Sequence, residues 1–414
     1  MSNRSSSTAA QAPIPKEFSA KPGKEGCLLV TSWCVPPILS GSSVIVDGLS
    51  EQFARDEMVI IGQRWRSLAD YDRPATLPEI KYFGSEWTWP RRGQRFVRWM
   101  RWFTLPGLVR TLTRVGRERK VRAILAVFPN EFFLLASYLA AKRLGVPLYP
   151  YLHNTYSENR TGWALRLAQW LEPRIFHSSP VVFVMSEGMR EHYEKIHSNV
   201  RFEPLVHTFN TPLPEFAPAP PPGTPLKLAF QGNLNESNID AARRLAAIVN
   251  RREDYILTTY SGSPDWFFAK VGVAGPRITH TRVASNKVIE ALQQADILLL
   301  PHGLTGRLSQ VEYDTIFPTR TVPNLLAMRP ILAHTPPNCH LTRWLKEHEC
   351  AEIIDQPDSD ALEQTIERLR HDSHRRETLV RNGLAAVEMF QASIVAAKLK
   401  RIIAETMPAA STRL

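Results

Sequence analysis

Cysteine is scarce in this sequence. Four cysteines occur among 414 residues, at positions 27, 34, 339 and 350. They show neither the paired spacing of a zinc site nor the density of a disulfide-rich secreted scaffold. We therefore expect free thiols in a reducing, cytoplasmic compartment, and no metal site.

Long apolar runs are also missing. No run approaches the ~18 uninterrupted apolar residues that a membrane-spanning helix needs. The first 25 residues are small and polar, contain basic residues and lack the apolar centre of a signal peptide, so we expect them to be disordered. The protein is predicted to be cytoplasmic, either soluble or peripheral on the inner face of the plasma membrane.

Acidic residues are almost absent from one segment. Between Arg91 and Arg122 the chain has eleven arginines and lysines and a single acid, Glu118, so this segment carries +10 of the net charge of +11. From Pro90 onward the pattern predicts a helix. One of its faces carries Phe96, Trp99, Met100 and Phe103, and the other carries Arg95, Arg98 and Trp102.

Three interpretations of this basic segment remain open. Arginines mixed with aromatic residues are typical of a helix that lies on an anionic membrane surface. The alternatives are a core-packed helix with a solvated basic face, and a nucleic-acid patch, which no recognisable nucleic-acid-binding module accompanies. The residues predicted to dock on a membrane are Arg95, Arg98, Trp99, Arg101 and Trp102.

The pattern of apolar runs predicts two α/β domains. The length exceeds the ~250–300 residues at which a single core stops growing, and short buried-strand runs alternate with amphipathic helical patterns on both sides of a proline-rich linker, residues 211–225. We predict a first domain at 26–210, a second at 226–390, and a C-terminal helix at 391–414 that crosses back to the first domain.

The stretch from Ala295 to His334 gathers its polar residues between two buried strands. Apolar runs begin at Ile297 and Pro330, and Val322–Met328 has helical spacing. Thr319, Arg320 and Thr321 therefore fall at a helix start, where free N–H groups and a fixed positive charge favour an anion. The alternative is that the threonines cap the helix and Arg320 is solvated.

The segment FPTRTVPNLLAMRPILA resembles the phosphate loop and helix of the C-terminal domain of GT-B glycosyltransferases, most nearly those of family 4. The resemblance implies an α/β fold of two doubly wound, Rossmann-like domains that face each other across a cleft. It also implies transfer of a sugar, with retention, from a nucleoside diphosphate sugar to a hydroxyl acceptor without a cofactor. The matching or similar positions are Phe317, Pro318, Thr319, Arg320, Leu325, Ala327, Arg329 and Pro330.

The resemblance assigns roles to individual residues. His153, at a strand end, would orient the sugar or the acceptor hydroxyl, and Arg320 would take the charge of the departing diphosphate. Taken without the resemblance, a lone loop histidine such as His153 is more often structural, and a structural turn is the better interpretation of Gly41. The residues expected to bind the donor are Gly41, Gly232, Asn233, Arg282, Val283, Arg307, Thr319 and Thr321.

Several positions depart from the family pattern. Pro323 and Thr315 stand where the family has its paired glutamates, and Met328 stands where it has glycine. Asn154 follows His153 where the family often has aspartate, and the Arg/Lys pair near Asn233 is missing. A second hypothesis is therefore a GT-B-like protein without turnover that serves as a membrane-associated binding or assembly subunit. The expected partners are a nucleotide sugar, a glycan or lipid-linked acceptor and an anionic membrane surface, but not nucleic acid.

Overall fold

The computed structural model describes residues 26–38, 40–66, 68–69, 71–86, 96 and 99–407. The predicted disordered tail, 1–25, and two of the predicted membrane-docking arginines, Arg95 and Arg98, lie outside the described residues.

Two parallel β-sheets organise the chain. Within the described residues, the first has seven strands in the order β3-β2-β1-β4-β5-β6-β7, and the second has six in the order β10-β9-β8-β11-β12-β13. The strands of the first sheet are β1 (Leu28–Ser32), β2 (Met58–Trp65), β3 (Glu79–Glu86), β4 (Ala123–Phe128), β5 (Leu148–Leu152), β6 (Val182–Val184) and β7 (Phe202–Pro204). Those of the second are β8 (Leu226–Gln231), β9 (Tyr255–Tyr260), β10 (Ile278–Thr281), β11 (Ile297–Pro301), β12 (Ile331–His334) and β13 (Glu352–Ile354).

Helices cover both sheets. In the first domain they are α1 (Gly41–Ser50), α2 (Leu105–Glu118), α3 (Glu131–Leu144), α4 (Gly162–His177) and α5 (Glu187–Ile196). In the second they are α6 (Ile239–Arg251), α7 (Asp265–Lys270), α8 (Val288–Leu292), α9 (Gln310–Thr315), α10 (Thr321–Leu326), α11 (His340–Glu347), α12 (Ser359–His371) and α13 (Ser373–Val387). The last helix is α14 (Ala392–Thr406).

The central strands are buried along their whole length. Every residue of β1, β4 and β11 is buried, as expected where helices cover both faces of a parallel sheet and the strands read as continuous apolar runs. The predicted fold class, two doubly wound Rossmann-like domains, is confirmed. The edge strands β3 and β13 were not predicted, because they are half-exposed and lack such a run.

The last helix returns to the first domain. Leu399, Ile402 and Ile403 of α14 belong to the hydrophobic core of that domain, and the Tyr149 hydroxyl lies 2.9 Å from Thr406 Oγ1. The C-terminal segment therefore connects the second domain back to the first, as a second connection beside residues 211–225.

The basic segment differs from its prediction. In its described part, Phe96, Trp99 and Met100 are helical, but a 3-10 turn at Arg101–Thr104 separates them from α2. Pro106 explains the break, because proline removes a backbone donor and its ring disfavours a continuous helix on its N-terminal side.

Two of the predicted membrane-docking residues point inward. Arg101 donates to Glu86 at 3.3 Å, and its guanidinium lies 5.5 Å from the ring centre of Phe132. The Trp102 ring also packs on Phe132, with 5.7 Å between the ring centres. The prediction that Arg101 and Trp102 face a membrane is therefore wrong, because both complete the packing at the start of α3.

The apolar face that precedes them is exposed. Phe96, Trp99, Met100 and Phe103 are between 41% and 67% exposed, so the alternative of a core-packed helix does not describe them. No helix in the described part of the chain has both the length and the hydrophobicity needed to span a bilayer.

Candidate functional site

The two domains meet where the carboxyl ends of their central strands face each other, which is where open α/β sheets bind ligands. Gly41, the first residue of α1, contacts the segment 316–320 of the second domain, which we call the phosphate loop. A Cβ atom on Gly41 would lie 3.0 Å from Cγ2 of Thr319, so glycine permits this close approach of the domains. The structure thus brings together the predicted residues Gly41 and Thr319.

His153 follows β5 at the same edge. Its side chain is buried, its Nδ1 lies 2.7 Å from Ser42 Oγ, and its Nε2 is buried without a hydrogen-bond partner. Burial, with a smaller contribution from His207, lowers the pKa of His153 to about 3, so the imidazole is neutral. Nε2 is therefore a buried ring nitrogen that no described protein group satisfies. The sequence did not reveal the role of Ser42, which lies 111 positions away.

Arg320 lies across the cleft, at the end of the phosphate loop. Its Nη1 is buried and has no hydrogen-bond partner, and among the described residues no carboxylate pairs with it. The guanidinium lies beside Gly232, whose φ of +105° suits glycine and whose added Cβ would sit 3.6 Å from Arg320 Cζ. Burial lowers the pKa of Arg320 to about 10, so the group remains charged at neutral pH.

Further polar atoms without partners lie next to Arg320 in the chain. Thr321 Oγ1 and both polar atoms of the Asn324 side chain are buried and unpaired. Because buried polar groups in folded proteins are nearly always hydrogen-bonded, such a group of unpaired atoms indicates a missing partner. Sequence reasoning missed Asn324, which stands beside the position of the family's glutamate.

The helix after the phosphate loop is shorter than predicted. It spans Thr321–Leu326, and its N-cap residue is Arg320, which has helical backbone angles and no capping side chain. The idea that Thr319 or Thr321 caps the helix through its side chain is therefore wrong. The positive charge at this site comes mainly from the Arg320 guanidinium and not from a long helix dipole.

The loops after β8 and β9 are tied to each other. Asn233 Oδ1 accepts from Ser261 Oγ at 3.1 Å and from the Gly262 N–H at 3.0 Å, so this side chain is engaged within the domain. A contact with the donor is thus left to Nδ2 of Asn233, and the role of this residue stays a prediction. Arg282 donates to the Gly262 carbonyl at 3.2 Å, which places the predicted base-binding residues Arg282 and Val283 beside the same loops.

Arg307 lies on the surface loop between β11 and α9 and is exposed. Its charge is therefore free to move towards an anion, but the structure does not place it against Arg320.

The positions that depart from the family pattern have local structural roles. Thr315 Oγ1 donates to the Val311 carbonyl at 2.7 Å, and Pro323 lies within the first turn of α10. Met328 has a φ of +53°, in the left-handed region that favours glycine. Position 328 thus has the left-handed backbone conformation that favours glycine, the residue usual in the family, although it carries a methionine side chain.

Comparisons with known proteins agree with this architecture. Residues 39–205 match the family model described as Glycosyltransferase Family 4. No curated protein sequence matches the chain.

Solved structures resemble the chain over nearly its whole length. A sucrose-phosphate synthase from Thermosynechococcus elongatus is 14% identical with a TM-score of 0.70, covering 92% of this chain and 99% of that one. HepE from Anabaena, in complex with UDP and glucose, is 14% identical with a TM-score of 0.66, covering 92% and 100%. The lipopolysaccharide outer core galactosyltransferase WaaB is 13% identical with a TM-score of 0.58, covering 92% and 99%.

Proposed function

We propose that this chain, a GT-B protein whose first domain matches glycosyltransferase family 4, transfers a sugar from a nucleoside diphosphate sugar to a hydroxyl acceptor. One observation carries the proposal. Arg320 is a part-buried cation at the cleft whose Nη1 is buried without a hydrogen-bond partner, and glycines at positions 41 and 232 let the chain approach Thr319 and Arg320 closely. A buried charge without a partner is costly, so a bound anion is its natural complement.

The chemistry follows from this placement. When the bond between the sugar and the diphosphate breaks, negative charge develops on the leaving group beside an oxocarbenium-like sugar. Arg320 is positioned to stabilise that charge, and the Thr319 backbone and hydroxyl lie next to it. The neutral His153 presents Nε2 from the opposite domain, where it would bind a hydroxyl of the sugar or the acceptor. We propose that the transferred group is a hexose and that its anomeric configuration is retained.

The exposed aromatic residues suggest where the acceptor lies. Phe96, Trp99 and Phe103 form a continuous exposed row, with ring centres 6.0 and 5.4 Å apart, which we call the aromatic row. The exposed arginines of α2 follow it along the same domain: Arg110, Arg114 and Arg117. Aromatic rings settle at the headgroup level of a bilayer, and each basic residue near an anionic surface contributes about 1 kcal/mol.

We therefore propose that the first domain docks on an anionic membrane surface and that the acceptor is a lipid-linked glycan. The fold similarity to WaaB, a lipopolysaccharide outer core galactosyltransferase, supports an acceptor of this kind. Replacement of the three rings of the aromatic row by serine should abolish sedimentation with phosphatidylglycerol vesicles.

A matched control is available in the second domain, where Trp266 is equally exposed. Trp266→Ser should leave vesicle binding unchanged. Equal binding of the wild-type protein to neutral and anionic vesicles, or none to either, would contradict the docking proposal without affecting the donor site.

The experiment that tests the function is a thermal-shift screen of nucleoside diphosphates and their sugars. We expect at least one compound to raise the Tm of the wild-type protein, and to raise the Tm of Arg320→Met by less at the same concentration. The absence of the family's glutamates at Thr315 and Pro323 favours the second hypothesis, a binding protein without turnover. Donor binding without any consumption of the sugar nucleotide would support that hypothesis.

A further inference from the structure

Glu312 joins the two domains. It lies on α9, just before the phosphate loop, and is 4% exposed. Four donors of the first domain bind its carboxylate. Asn154 Nδ2 lies 2.8 Å from Oε1. The other three donate to Oε2: the Thr155 backbone N–H at 3.2 Å, Thr155 Oγ1 at 2.5 Å and Asn159 Nδ2 at 2.9 Å. Four donors converging on two oxygens is an arrangement that suits a carboxylate, which only accepts.

The donors belong to the loop that begins with His153. Asn159 also accepts, through Oδ1, a hydrogen bond from the Ser309 N–H at 3.2 Å, so the loop is fastened to the first turn of α9 at two places. A further contact joins the same helix to the first domain, because Ser186 Oγ donates to the Thr315 carbonyl at 2.5 Å. The contacts of α9 therefore help to fix the separation between His153 and the phosphate loop, beside the direct hydrogen bond between His207 Nε2 and the Phe317 carbonyl.

Glu312 also explains one departure from the family pattern. Asn154 occupies a position where the family often has aspartate, and its Nδ2 lies 2.8 Å from Glu312 Oε1. An aspartate there would place two carboxylates at hydrogen-bond distance in a buried site, where they repel each other unless one takes up a proton. An asparagine supplies the donor that the buried glutamate needs.

We propose that Glu312 is a positioning residue that holds His153 at a fixed distance from Arg320, and that Asn154 and Glu312 form a matched donor and acceptor pair. The effect of Glu312 on catalysis rests on the proposed transferase function. The role of Glu312 in connecting the two domains does not depend on that function and has its own test.

Three variants test the pair. In Asn154→Asp, two carboxylates meet and the loop should separate from α9. In Glu312→Gln, the amide oxygen can still accept from Thr155 and Asn159, and Asn154 can turn its own oxygen towards the new NH₂ group, so the effect should be small. In the double variant, the new amide NH₂ group on α9 donates to the new carboxylate on the loop, which restores the number of hydrogen bonds.

Two readouts separate the structural and catalytic parts. Hydrogen exchange of residues 153–160 in the nucleotide-free protein reports whether the loop is fastened. Steady-state kinetics report whether kcat falls while the KM for the donor is kept, as expected for a misplaced catalytic group rather than a damaged donor site. The control is Glu191→Gln, because Glu191 makes an exposed ion pair between the domains with Arg343, at 2.7 Å, and such pairs contribute little.

We expect Asn154→Asp to speed exchange of the loop and to lower kcat by about tenfold to a hundredfold, the loss typical of small displacements of catalytic groups. Addition of Glu312→Gln should bring both values back to within about threefold of the wild type, by the same reasoning. The proposal is overturned if Asn154→Asp leaves exchange unchanged, or if it is as harmful in the Glu312→Gln background as in the wild-type background. If the wild-type protein shows no transfer at all, the function proposed above fails, and the exchange measurements still decide the role of Glu312.

Discussion

Replacement of Arg320 by methionine separates nucleotide binding from stability. Methionine has a similar length but no charge. In the nucleotide-free protein, Arg320 Nη1 is buried without a hydrogen-bond partner. Removal of the guanidinium therefore breaks no hydrogen bond of Nη1. With a nucleoside diphosphate bound, the same group would make a charge-assisted contact to phosphate.

Arg320→Met is expected to weaken nucleotide binding without lowering the stability of the protein. Loss of a charge-assisted hydrogen bond costs about 1.5–3 kcal/mol, which corresponds to a Kd for the nucleotide raised by about 10- to 150-fold. Removal of a part-buried cation whose Nη1 is unpaired should leave the free energy of unfolding of the nucleotide-free protein unchanged or raise it by about 1 kcal/mol. A variant that merely damaged the fold would lower both the affinity for the nucleotide and the free energy of unfolding.

Arg329 provides the matched control. It lies nine positions further along the chain and donates to the backbone carbonyls of Ala295 and Gln293, at 2.9 and 2.6 Å. Arg329→Met should lower the free energy of unfolding by about 1–3 kcal/mol, because two part-buried acceptors lose their donor, and should leave the nucleotide Kd unchanged.

Isothermal titration calorimetry with nucleoside diphosphates, together with urea denaturation of the empty proteins, measures both effects. An Arg320→Met protein that binds the nucleotide as tightly as the wild type would refute the assignment of Arg320 to the phosphate. A protein with lowered stability and lowered affinity in the same proportion would also contradict the reasoning.

Three further predictions concern single residues and pH. His153→Ala should lower kcat far more than it changes nucleotide affinity, because we propose that its unpaired Nε2 binds a hydroxyl of the sugar or the acceptor, and unaltered turnover would make His153 structural. Met328→Gly should raise the free energy of unfolding in urea by roughly 0.5–1 kcal/mol, because it relieves a left-handed residue, and a decrease would show that the Met328 side chain is needed there. Burial lowers the pKa of several histidines to about 4, so between roughly pH 6.5 and 4 the unfolded chain binds more protons and stability should fall with falling pH, by up to about 1.4 kcal/mol per unit for each group. The histidines concerned are His207, His302 and His340. A free energy of unfolding that stays constant from pH 7 to 5 would contradict this prediction.

The sequence predicts those parts of the fold that depend on local patterns. The buried strands β1, β4 and β11 are continuous apolar runs bounded by turn residues, so their positions follow from residues that are neighbours in the chain. The half-exposed edge strands β3 and β13 carry no such run, and what makes them strands is pairing with β2 and β12. The break at Pro106 was visible in the sequence, but the strong basic and aromatic pattern concealed it.

The candidate site could be predicted only where single residues carry the signal. Gly41, His153, Gly232, Thr319 and Arg320 stand at strand ends or loop positions, and the structure brings them to one cleft. Contacts between residues that are far apart in the chain leave no recognisable pattern in the sequence.

Two such contacts matter most for the site. The hydrogen bonds of Glu312 to the His153 loop span more than 150 positions, and the pairing of Ser42 with His153 spans 111. Whether a side chain such as Asn233 or Arg101 points to the ligand, the solvent or its own domain depends on such distant partners.

Transfer by the purified protein tests the central claim most directly. The measurement is release of nucleoside diphosphate from a panel of nucleotide sugars, carried out with a lipid extract as the acceptor source, for the wild type and for Arg320→Met and His153→Ala. We predict that the wild type consumes one donor only when the extract is present, and that both variants are slower by at least about tenfold, the loss expected when one stabilising group is removed from the transition state. A wild-type protein that binds a donor but consumes none with any extract, or variants that turn over at the wild-type rate, would contradict this account.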